Sequence, residues 1–100
     1  MNQSIKIQTL EILHKVLNKT GPSSDFRYSG FEDFNELKKE IEEMMNRVRK
    51  GDASVLNVIS FHFLPTGPFQ ELSIDNKWGD EFLELAKQFD AVYEAANQQK

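Results

Sequence analysis

Apolar positions recur at spacings of three and four over residues 4–19, where Ile5, Leu10, Ile12, Leu13, Val16 and Leu17 fall on one broad side. Side chains at those spacings share a helical face, so the pattern predicts an amphipathic helix. Gly21 followed by Pro22 marks its end, because Gly accepts the left-handed conformation beyond a helix and Pro cannot continue one. The periodicity returns with Phe34, Leu37, Ile41, Met44, Met45 and Val48, predicting a second helix over 30–50. Ser29-Gly30-Phe31-Glu32 reads as its capping box. Arg47, Arg49 and Lys50 complement the dipole at its other end, and Gly51 is the stop. On its outer side Lys38 with Glu42, and Glu43 with Arg47, stand at i,i+4. The polar loop between the helices carries Phe26 and Tyr28, with Phe31 just beyond, and these rings are expected to fold back onto the core.

The period then changes to two. Val55, Val58, Ile59, Phe61, Phe63 and Leu64 make 55–64 dense in β-branched and aromatic residues, and 69–75 alternates Leu72 and Ile74 with Glu71, Ser73 and Asp75. Both runs read as strands. Pro65-Thr66-Gly67-Pro68 reads as the turn between them, since its prolines lack donors and its glycine permits positive φ. Placing Leu64 opposite Phe69 fixes an antiparallel register, with His62 across from Glu71 and Phe61 across from Leu72. Ile59, Phe61, Phe63, Leu72 and Ile74 then form the core face. The outer face holds Val58, His62, Leu64, Phe69 and Glu71. A last helix over 76–96, capped by Asp75 or Asn76, follows from Trp78, Phe82, Leu85, Phe89, Val92, Tyr93 and Ala96, with Asp80 and Glu81 in its first turn. Residues 97–100 are expected to fray. The expected fold is a single α+β domain spanning 1–100, in which an antiparallel β-hairpin packs on helices because two strands alone cannot bury a core.

Composition narrows the classes. With 100 residues, 39% of them hydrophobic and 28% charged, the chain suits one globular core. The absence of Cys excludes disulfides and thiolate chemistry. No apolar run approaches the roughly 18 residues of a membrane span. The start lacks the apolar segment of a secretory signal, which makes a cytoplasmic protein the expectation. The net charge of −4 is uneven: residues 1–50 carry 9 basic and 8 acidic side chains, giving +1, and residues 51–100 carry 3 and 8, giving −5. That balance disfavours nucleic acid as a partner, since binding through phosphates needs clustered Lys and Arg.

Candidate chemistry is sparse. Ser60, Ser73, His62 and Glu71 could neighbour one another on the hairpin, but a flat hairpin supplies neither a cleft nor an oxyanion hole. His14 and His62 have no ligand-spaced partners, and no phosphate-binding glycine loop occurs, so neither metal nor cofactor is expected. What remains is interface. An apolar patch with a polar rim marks a protein contact, and the candidates are His62, Leu64, Phe69 and Glu71 on the outer hairpin face, with Asp80, Glu81 and Glu84 on the acidic last helix. The leading expectation is a non-enzymatic protein-binding or regulatory module whose partner is another protein, with a basic one favoured by the charge. A narrower version is an immunity-type protein that neutralises a nucleic-acid-active toxin. The alternatives are a structural domain that forms a homodimer or larger homo-oligomer through Met44, Met45 or an uncovered hairpin face, and a small enzyme built around His62.

Overall fold

The computed structural model describes every residue except Tyr28, Thr66, Gln99 and Lys100. Among the described residues the fold is wholly helical, in the order α1 (Gln3–Asn18), α2 (Phe34–Arg49), α3 (Val55–His62), α4 (Pro68–Asp75) and α5 (Gly79–Asn97). The expected α+β class and its β-hairpin are therefore overturned. Both segments read as strands are helices of eight residues. The expected loop ring Tyr28 and turn residue Thr66 lie outside the described residues.

The physical reason for the difference is visible at each helix start. The run 55–64 is apolar on nearly every side, and so short an apolar run satisfies a period of two or of 3.6 equally. What decides it is the preceding segment. Asp52 accepts the Ser54 N–H at 3.0 Å through its side chain, and the backbone carbonyls of Asp52 and Ala53 accept from Val55 and Leu56, winding the first turn of α3. At α4, Pro68 occupies the first helical position, where its missing N–H costs nothing and its fixed φ suits the helix. Gly67 precedes it so close to α3 that a Cβ would stand 2.8 Å from the Leu64 carbonyl oxygen and 2.9 Å from that of Phe61. The two prolines thus bracket a helix-to-helix corner. The buried residues of α4, Phe69, Leu72 and Ser73, follow helical spacing, while Ile74, expected inside, is exposed.

Three longer helices supply most of the core. α1 packs against both α2 and α5, and the short α3 touches α2, α4 and α5. From these faces Leu13, Val16, Leu37, Ile41, Val48 and Phe89 are all fully enclosed. An aromatic cluster joins the short helices to α5, with Phe63 5.2 Å from Phe69, 5.9 Å from Phe82 and 5.4 Å from Phe89 between ring centroids. Such packed rings contribute more than their buried area alone.

Boundaries shift for local reasons. α2 begins at Phe34 because Asp33 caps it, accepting the Glu36 N–H at 2.9 Å, while the Glu36 carboxylate accepts the Glu32 N–H at 3.1 Å. Ser29 instead closes a turn, donating to the Phe26 carbonyl and accepting from the Phe31 N–H, and Gly30 lies at φ 86. Gly51, at φ 78, ends α2 as expected, with the Asp52 N–H reaching the Arg47 carbonyl. α5 starts at Gly79, so Asp75 and Asn76 close α4 rather than cap α5. Asn76 then ties down the long loop: its side chain accepts the Asp25 N–H at 2.6 Å and donates to the Asp25 carbonyl at 2.7 Å. Phe26 and Phe31 fold onto the core from that loop.

Candidate functional site

The residues singled out by the sequence do not form one face. His62 and Phe69 are buried, whereas Leu64, Asp80, Glu81 and Glu84 are exposed and Glu71 is half-buried. His62 and Phe69 come together inside the protein, with ring centroids 5.0 Å apart. The expected partner of His62 was Glu71 across a hairpin; its observed partner is Glu40 of α2, whose Oε1 lies 2.8 Å from His62 Nε2. One signal for this existed in the sequence. Glu40 stands three residues after Leu37 and four before Met44, at the border of the buried stripe of α2, where a carboxylate can reach inward.

The geometry of His62 gives each ring nitrogen one partner. Nδ1 lies 2.8 Å from the Val58 carbonyl oxygen, and Nε2 faces the Glu40 carboxylate. A carbonyl oxygen only accepts, so Nδ1 donates. Nε2 meets the carboxylate at hydrogen-bond distance, so the ring is held at both nitrogens. The His62 side chain is 5% exposed and that of Glu40 39%, and the rings of Phe31, Phe61 and Phe69 surround the imidazole. Both ring nitrogens are therefore engaged, Nδ1 within α3 and Nε2 in holding α3 to α2.

Beside this clasp runs a groove of about 390 Å³ between α2 and α3. Met44 and Val58 give it an apolar lining, and Glu36, Lys39, Glu43 and Arg47 give it charged walls. Arg47 is already committed: its Nε lies 2.9 Å from Asp52 Oδ2, and its Nη2 donates to the Ser54 hydroxyl at 3.0 Å. It takes Asp52 in place of the expected i,i+4 partner Glu43. The Ser54 hydroxyl, and then the Arg47 guanidinium, hold the Asp52 carboxyl below the ordinary aspartate value of 3.8.

On α3 itself Val55, Leu56, Ile59 and His62 point inward and Val58 is half-buried against the core, while Phe61 turns outward, and Leu64 follows just beyond the helix end. Phe61 is 57% exposed and Leu64 49%. Of the eight residues of α3 only Asn57 and Phe61 are exposed, so the Phe61 ring is a large apolar group left at the surface of an otherwise enclosed helix. No family model matches this sequence. Comparison with curated proteins and with solved structures also returns no significant match.

The remaining features are simpler. Met44 and Met45, expected to offer a self-association patch, are both buried in the core. A second cavity, of about 420 Å³, lies between the C-terminal end of α1 and the first half of α5, where Lys19 pairs with Glu81 at 3.6 Å and Glu84 forms part of the wall. On the outer face of α5, Leu83 is exposed among Asp80, Glu84 and Lys87. No cluster of three or more metal-ligating side chains occurs among the described residues. No helix of the described residues is long and apolar enough to cross a membrane.

Proposed function

We propose that this chain is a small, non-enzymatic protein-binding module that docks its partner on the outer side of α3. The observation that carries the reading is the exposure of two large apolar side chains, Phe61 on α3 and Leu64 just beyond its end, beside a helix whose opposite side is core. Two large apolar side chains one turn apart, next to a groove with an apolar lining, have the make-up of an interface centre, where aromatic anchors fill pockets inside a polar rim. His62, the one buried imidazole, spends both nitrogens on α2 and α3 contacts, which supports a positioning role over a reactive one. The acidic residues of α5, including Asp80, Glu81 and Glu84, favour a basic partner by speeding and orienting its approach. Neutralisation of a basic toxin by an immunity-type protein is one instance of this class.

A photocrosslinking side chain in place of Phe61, used in extract of the source cell, tests the reading. The expected result is one dominant protein adduct that disappears when Leu64→Ser is added, with the melting temperature unchanged. Equal labelling from position 61 and from exposed Ile7 would contradict it. Association with the captured protein should slow as salt is raised.

A further inference from the structure

Along α2, Glu36, Glu40, Glu43 and Arg47 recur at spacings of four, three and four. They form one straight stripe about 16 Å long at 1.5 Å per residue, roughly three turns of helix. Val58 of α3 stands opposite, with Met44 of α2 beside it; exposed Phe61 and Leu64 follow Val58 in the sequence at spacings of three, outside the groove's own lining. The result is a groove between two helices in which Met44 and Val58 stand among the charged side chains of α2.

The charges of that wall are unequally free. Arg47 is held by Asp52 and Ser54, and Glu40 by His62. Glu36 uses one oxygen on the Glu32 N–H. Among the described residues Glu43 and Lys39 of the same wall have no hydrogen-bond or ion-pair partner. The wall therefore offers two available carboxylates against one ammonium, within a protein of net charge −4.

We infer that the groove receives an amphipathic α-helix of another protein, carrying Lys or Arg beside its apolar stripe. This rests on the docking role proposed above and adds the chemistry of the occupant. A helix fits because its side chains at i, i+3 and i+4 match an apolar row at spacings of three, and helix-in-groove binding uses such anchors. A strand would need an open sheet edge, and the described residues contain no strand. Cations on the incoming helix meet Glu36 and Glu43, while its apolar anchors cover Val58, Phe61 and Leu64.

Three synthetic peptides of roughly 18 residues, about five turns each, test the inference by amide chemical-shift mapping on the full chain. The first orders Leu and Lys as an amphipathic helix, the second replaces every Lys by Glu, and the third scrambles the first. The ordered Leu/Lys peptide should perturb Lys39, Glu43, Val58, Phe61 and Leu64. Phe61→Ser should abolish that binding, and the double variant Glu36→Gln with Glu43→Gln should weaken it roughly three- to tenfold, as two exposed charge pairs allow. Equal binding of the Leu/Glu peptide at the same residues would overturn the basic occupant while leaving the docking face in place. Equal binding of the scrambled peptide, with shifts spread over α5, would reduce the effect to general charge attraction and overturn the inference. Shifts at Phe61 and Leu64 with phosphatidylcholine vesicles in place of any peptide would assign the face to lipid and overturn it. No perturbation of Val58, Phe61 and Leu64 by any probe would overturn both the inference and the docking role.

Discussion

Phe61 and Phe69 exchange roles between the hairpin expected from the sequence and the helical fold, which makes their truncation a decisive comparison. In a hairpin Phe61 faces the core and Phe69 faces outward; in the structure Phe69 is fully enclosed and Phe61 is 57% exposed. Phe69→Ala removes a ring that packs 5.2 Å from Phe63 and 5.0 Å from His62. Loss of transfer energy plus the cavity left behind should cost about 3–5 kcal/mol. A 100-residue domain sits at the lower end of the range of about 4–8 °C per kcal/mol, so the melting temperature should fall by about 12–25 °C. Phe61→Ala loses less than half of a full burial term of about 1.5–3 kcal/mol, which is about 1 kcal/mol or less and a shift within about 5 °C. Thermal melts followed by circular dichroism at 222 nm read both variants. A Phe61→Ala penalty as large as that of Phe69→Ala would place the Phe61 ring in the interior and refute the reasoning.

Other consequences follow from single positions. Gly67→Ala should destabilise by about 1–3 kcal/mol in urea melts, because its Cβ would press on the backbone carbonyls of Leu64 and Phe61 rather than on movable side chains. Lys77→Gly should stabilise by about 0.5–1 kcal/mol, since Lys77 holds φ 64 where its N–H and that of Trp78 close α4 in a Schellman pattern, a place suited to glycine. Asp52 titrates lower in the folded chain than when unfolded, so its contribution is present above pH 3.8 and is lost as pH falls through the folded value. Urea midpoints at about pH 6 and about pH 3 should therefore differ less in Asp52→Asn than in the unaltered protein.

The three long helices were legible because each spreads its apolar residues over enough turns for the period to be unambiguous. Ile41 and Phe82 are buried as their stripes require. Gly51 ended α2 for the stated backbone reason. The short helices were not legible by period, because eight residues cover barely two turns and the density of Val, Ile and Phe in 55–64 fits a strand as well. Their deciding features were local: Asp52 two residues before Ser54, and Pro68 as a first helical residue rather than as part of a turn. The candidate site inherited that ambiguity. A strand assigns alternate residues to opposite faces, so it placed Phe69 outside and Phe61 inside, and it paired His62 with Glu71. Once 55–62 is a helix, Ile59 and His62 turn inward and Phe61 outward, and the acidic α5 residues remain exposed.

The outward turn of Phe61 and Leu64 against the buried side of α3 is central, and solvent paramagnetic relaxation of side-chain protons along 55–64 tests it directly. With a soluble gadolinium chelate, Phe61 and Leu64 should broaden strongly, while Ile59, Phe63 and Phe69 stay protected. Ile59, Phe61 and Phe63 protected together, with Phe69 broadened, would show a period of two and contradict both the helix and its free face.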